Sequence, residues 1–178
     1  MKTQTLLWHY TYQHRIEAIL SSRQLIPTLG GGSSLPNEPE EDLREKKILW
    51  FTENQVWEPA SYRGYQNKVT GEAYDLLKLE DYAAHDIRVF RIGVLGGGII
   101  KPWSRFQRIA HVSPGMVRRL EEWCRGIGSN PFDWWGSIFP VPDTMWVSVQ
   151  VLKDGTWEEL SRSSKSDGAE NVSQVCAL

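Results

Sequence analysis

An α+β fold is predicted for this chain by three observations. Strand-like apolar runs outnumber amphipathic helical stretches, and the two kinds do not alternate in the regular βαβ manner of a parallel sheet. The 178 residues are also 40% hydrophobic and 24% charged, enough for one core without disulfide staples. Residues 1–160 are therefore expected to form one domain, and the Ser-, Asp- and Lys-rich residues 161–178 a flexible tail.

The first strand is expected at Thr5-Leu6-Leu7-Trp8-His9-Tyr10-Thr11, a short apolar and aromatic run. A helix over His14–Leu25 follows, with Ile16, Ile19 and Leu20 on one face, and Pro27 disfavours its continuation through Ile26. Residues 28–47 read as a loop of glycine, proline and mixed charge, within which a short helix over 39–46 is an option. Ile48-Leu49-Trp50-Phe51-Thr52 is a second strand, and Trp57-Glu58-Pro59-Ala60 opens a short helix with proline in its first turn. Residues 64–85 are ambiguous between strand and helix.

Residues 87–94 alternate apolar and polar, as a half-buried strand does, and end at Gly96-Gly97-Gly98. Ser113-Pro114 caps a helix whose apolar stripe is Met116, Val117, Leu120 and Cys124. Residues 129–144 read as an aromatic loop. The strand 145–152 and a last strand around Trp157 are joined by Asp154-Gly155, a hairpin-type turn.

Composition excludes some classes. Twenty Lys and Arg against 22 Asp and Glu give a net charge of -2, so no global field drives binding to nucleic acid or an anionic membrane. No apolar run reaches the length of a transmembrane helix, and three apolar residues before His9 are too few for a signal-peptide core. Cys124 and Cys176 lack metal-ligand spacing and read as free thiols of a reducing, cytoplasmic location. The four histidines form no close ligand pair, and the glycine runs at 30–32 and 96–98 match no phosphate-binding fingerprint.

Two stretches can carry chemistry. His9 sits in an apolar strand, and Thr11 shares its face, so an imidazole and a hydroxyl can bind a ribose or carboxamide there; Tyr10 adds another hydroxyl. The equally plain alternative is a core histidine. On the second strand Trp50 and Thr52 share one face and Phe51 takes the other, so one ring can be core while the other stacks on a flat ligand. Glu58 is either a first-turn acid favoured by the helix dipole or a catalytic carboxylate. Residues 101–125 hold six basic groups against two acids, interleaved with Trp103, Phe106 and Trp123, a pattern that suits nucleic acid, a diphosphate or a solvated helix surface.

With Trp8-His9-Tyr10-Thr11, the following helix and Ile48–Thr52 in view, the N-terminal third resembles an ADP-ribosyltransferase-like domain. The similarity is to the histidine-first branch of that superfamily, which includes diphtheria-toxin-like and DNA-modifying enzymes. The resemblance implies a split antiparallel β core with short flanking helices, NAD as cofactor, and transfer of ADP-ribose to a protein or nucleic-acid acceptor. It implies that His9 holds the ribose hydroxyl, with Tyr10, Thr11, Trp50, Phe51, Thr52 and Tyr62 as the remaining NAD-binding set. A late strand supplies an acid or amide in that family; the strand 145–152 has no carboxylate, which leaves Asp143 first and Gln150 second as the catalytic group. The alternatives are a non-enzymatic accessory module with Trp103, Trp134 and Trp135 as interface anchors, and a nucleic-acid binder using residues 101–125.

Overall fold

The computed structural model describes residues 4–29, 47–66 and 70–160. The expected helix at 39–46, the glycine run at 30–32 and the tail 161–178 lie outside the described residues. What is described is a mixed α+β fold of antiparallel sheets with short flanking helices.

The largest sheet is built on β1 (Leu6–Tyr12), the apolar run at the start of the chain. One edge of β1 pairs along its whole length with β7 (Val89–Leu95). Beyond β7 lie β11 (Trp146–Lys153) and β12 (Thr156–Glu159), joined through Asp154 and Gly155 at φ 47° and 74°. On the other edge of β1 lies β4 (Lys47–Thr52), followed by β9 (Trp134–Ser137) and β8 (Lys101–Pro102). β3 (Thr28–Leu29) also pairs with β4. Two further ladders join β2 (Gln24–Leu25) to β10 (Val141–Pro142), and β5 (Arg63–Gln66) to β6 (Ala73–Leu76).

Among the described residues, four α-helices flank these sheets: α1 (Gln13–Ser22), α2 (Leu79–Ala84), α3 (Trp103–Ile109) and α4 (Pro114–Gly126). As expected, Ser113 caps α4, its Oγ accepting from the Met116 amide. Helix α1 stops three residues earlier than its sequence pattern suggests, because Arg23 turns left-handed at φ 55° and Gln24 starts a strand.

The alternation of β1 sorts the core. Leu7 joins Ile16, Leu49, Phe51, Phe90, Ile92, Val94, Val149 and Val151 on the α1 face. Trp8, Tyr10 and Tyr12 join Trp57, Leu76, Tyr82 and Val89 on the other. A third apolar body packs α3 and α4 against β4 and β9 through Ile48, Phe106, Met116, Cys124 and Trp134.

Three expectations are corrected and one ambiguity, residues 64–85, is resolved. The ends of the 28–47 loop are strands, since Thr28 pairs with Ile48 and Leu29 with Lys47. Residues 64–85 hold a hairpin followed by a helix. The aromatic loop contains β9, where Gly136 lets the sheet approach the Phe106 ring. Finally, β7 is buried on both faces rather than half-buried: Arg91 is only 7% exposed, its guanidinium lying 3.9 Å and 4.2 Å from the Trp8 and Trp157 rings. Among the described residues, no helix is long and apolar enough to cross a membrane, and no group of three His, Cys, Asp or Glu is placed to hold a metal ion.

Candidate functional site

The geometry around His9 follows from how β1 and β4 meet. Their ladder has one register pair, Trp8 with Thr52; farther along β4, Ile48 and Lys47 pair instead with β3. Between the two ladders the Trp50 carbonyl has lost its β1 partner. The His9 side chain takes that place, its Nδ1 lying 2.9 Å from the carbonyl oxygen. A backbone group left by the sheet is thereby satisfied by an imidazole at the point where the strands part.

That bond fixes the chemistry of the ring. A carbonyl can only accept, so Nδ1 carries the proton and Nε2 presents a lone pair. The residue is half-buried but the ring is withdrawn from water, and this desolvation pushes its pKa down to about 4. The hydrogen bond to Trp50 pulls the other way, and the positive charges of Arg63 and Arg15 push it down further. His9 is thus a neutral hydrogen-bond acceptor at neutral pH, suited to a ribose hydroxyl and unsuited to general-acid work. The Phe51 ring packs beside it at 5.8 Å, and Nε2 has no hydrogen-bond partner among the described residues.

The other expected NAD-binding residues divide by face. Thr11 shares the face of His9 and is buried. Tyr10 points the opposite way, against Trp57 and Trp157, with its hydroxyl 3.3 Å from the Asn54 carbonyl; burial pushes its pKa up to about 12. Phe51 is core, whereas Trp50 is half-exposed and rests on Trp103, Phe106 and Trp134. Thr52 is buried and donates to Glu58 at 2.9 Å. Tyr62 is half-buried and packs on Trp123 of α4 at 5.6 Å.

Neither expected late group is turned toward His9 by the hydrogen bonds it makes. Asp143 pairs with Arg23 at the C-terminal end of α1, with Oδ2 2.6 Å from Nε. Gln150 lies across β7 from Tyr10, in register with Arg91, so the sheet separates its side chain from that of His9. Its amide accepts from Arg91 at 2.7 Å and donates to Glu159 at 2.7 Å.

Glu58 resolves into a structural acid. Its carboxylate caps the turn Pro59–Ser61 by accepting from the Ala60 amide at 3.1 Å, and it accepts from Thr52 and Ser129 as well. The sequence reading passed over Arg15 and Arg63, the two cations that act on His9. They lie 48 residues apart and belong to no motif, so only the fold could bring the charge of both to bear on His9.

The expected interface anchors turn inward. Trp103 and Trp134 are 3% and 4% exposed, and Trp135 is half-buried with its indole donating to Glu53 at 2.7 Å. In residues 101–125 the same burial removes Trp103 and Phe106 from any stacking surface, while Arg105, Arg108, Arg118 and Arg125 remain exposed. No protein-family model matches the sequence, and neither a curated protein nor a solved structure matches the chain.

Proposed function

We propose that this chain is an NAD-dependent mono-ADP-ribosyltransferase of the histidine-first kind, with a split antiparallel β core, acting in the cytoplasm on a protein or nucleic-acid acceptor. The observation that carries the reading is the parting of β1 from β4 at His9, where a neutral imidazole bonds Trp50 through Nδ1 and keeps Nε2 as an acceptor. An acceptor of this kind matches a ribose hydroxyl. The half-exposed Trp50 and Tyr62 are the rings this reading offers for stacking on a nicotinamide or adenine.

In the proposed reaction the bond from ribosyl C1′ to the nicotinamide nitrogen breaks, and its electron pair leaves with nicotinamide. A nucleophile of the acceptor bonds to C1′, and the proton it carried passes to solvent. His9 orients the ribose through Nε2, and the surrounding aromatic packing limits competing attack by water.

The test is incubation with labelled NAD and a cell lysate, together with assay of free nicotinamide. Label on an acceptor, lost in His9→Ala at unchanged folding, supports the reading; neither turnover nor binding at millimolar NAD defeats it.

A second reading, NAD binding without turnover, is favoured by the engagement of Asp143 with Arg23 and by the position of Gln150 on the face opposite His9. Binding of NAD in calorimetry with no nicotinamide release would select it.

A further inference from the structure

The hairpin of β5 and β6 has two unlike faces. Its register pairs Arg63 with Leu76, Gly64 with Asp75, Tyr65 with Tyr74 and Gln66 with Ala73, so alternation gathers the bulky side chains on one face. There Leu76 is buried beside Tyr82, Tyr65 and Tyr74 pack on the His85 ring at 4.6 Å and 5.7 Å, and the Arg63 guanidinium lies 5.3 Å from the centre of the Tyr12 ring. The other face carries Gly64, Gln66, Ala73 and Asp75, all exposed. A hollow of about 460 Å³ opens along the hairpin, lined by these four residues with Tyr65 and Tyr74.

The polar side chains of this face offer acceptors. The Asp75 carboxylate sits over Gly64: a Cβ on that glycine would lie 3.8 Å from Oδ1, so the missing side chain leaves the carboxylate open to a ligand. Among the described residues, no ion pair engages Asp75. Gln66 donates from Nε2 to the Gly71 carbonyl at 3.3 Å, which leaves its Oε1 as a second acceptor. The surrounding charge has one sign, since residues 70–86 hold Glu72, Asp75, Glu80, Asp81 and Asp86 against Lys78. The hairpin's own cation, Arg63, belongs to the opposite face.

We propose that this face is a docking surface for an arginine-bearing segment of a partner protein. A guanidinium carries five donors and no acceptor, and its planar fork can meet a carboxylate through two N–H groups while a third reaches an amide oxygen. The acidic surroundings attract such a segment and repel a polyanion. The occupant is a chain rather than a small amine, because a face floored by glycine and alanine and open along a hairpin covers too little of a small ligand to hold it. The residues flanking the arginine extend the contact along both strands. Docking of this kind needs neither NAD nor turnover, so it is independent of the function proposed above.

The test is fluorescence anisotropy of a labelled peptide of alternating glycine and arginine, titrated with the full chain at low ionic strength, with free arginine as competitor. The variants are Asp75→Asn, Gly64→Leu and the control Glu122→Gln, which removes an equal charge from the exposed surface of α4. The peptide should bind, and Asp75→Asn should weaken it roughly tenfold, the factor one charge-assisted hydrogen bond supplies. Gly64→Leu fills the floor without altering charge and should weaken it comparably, and the control should leave it unchanged. Asp75 is exposed, so its variant keeps the test valid if Gly64→Leu does not fold. No binding, or binding indifferent to Asp75→Asn, overturns the surface. Equal loss in Glu122→Gln also overturns it, as attraction to net charge alone, and displacement by free arginine at matched guanidinium concentration overturns a chain as the occupant.

Discussion

Replacing His9 by Asn isolates the proton chemistry of the β1–β4 opening. Asn retains an N–H donor within reach of the Trp50 carbonyl but does not titrate. In the wild type the imidazole takes its proton at about pH 4 when folded, against 6.5 in the unfolded chain, because burial disfavours the charged form. Between those values the unfolded state binds more protons. The contribution of His9 is therefore complete above pH 6.5 and is lost as pH falls toward 4. At about pH 5 the loss is about 2 kcal/mol, and over the whole window about 3 kcal/mol. His14, whose pKa is also lowered by burial, contributes with the same sign, so the comparison must be wild type against variant rather than wild type alone. Urea unfolding of both proteins from about pH 7.5 to about pH 5 should show the wild-type stability falling more steeply by about 2 kcal/mol, a difference of about 4–8 °C in Tm for a domain of this size. Parallel curves would mean that the ring stays in water, and the case for His9 as a neutral acceptor would fall with it.

Other substitutions probe the surroundings of the opening. Glu58→Ala strands the donors of Thr52, Ala60 and Ser129 in a buried place and should cost about 3 kcal/mol in urea unfolding; a near-neutral result would show that water replaces the carboxylate. Gly136→Ala puts a methyl carbon 2.5 Å from the Phe106 ring, so it should destabilise by about 1–3 kcal/mol, with partial recovery in the double variant carrying Phe106→Leu. Asp143→Asn removes a largely exposed ion pair and should change stability by less than about 1 kcal/mol while leaving NAD affinity intact; a marked loss of affinity would return Asp143 to the site. Cys124 is 1% exposed and burial pushes its thiol up to about 12, so a thiol reagent should label it only in denaturant, as peptide mapping of native and unfolded samples can show.

The strands were legible where a short apolar and aromatic run was bounded by polar or turn residues. β1, β4 and β11 fall within a residue or so of expectation, and Asp154-Gly155 marked the β11–β12 turn because few residues other than glycine and asparagine adopt its positive φ readily. β9 was not legible: four residues with two adjacent tryptophans and a glycine carry no period, and their partners on β4 lie 82 to 88 residues away, from Thr52 with Trp134 to Leu49 with Ser137. Arg91 misled for a different reason. A charged residue in an alternating strand normally faces water, but here two indoles cover its faces and Gln150 and the Gln55 carbonyl take its donors. The tryptophans misled likewise, because composition cannot tell an interface ring from one such as Trp103 buried between two helices and a sheet.

For the candidate site, residue type and local period determined that His9 and Thr11 share one strand face and that Trp50 and Thr52 share another. These are short-range facts, fixed by the geometry of a single extended chain. The tertiary structure alone decided that β4 would leave β1 after one pair, that burial would hold His9 neutral while the Trp50 carbonyl takes its Nδ1 proton, and that the Arg63 guanidinium would lie over the Tyr12 ring. Protonation and charge clustering depend on burial and on distances through space, and neither quantity is carried by the order of residues along the chain.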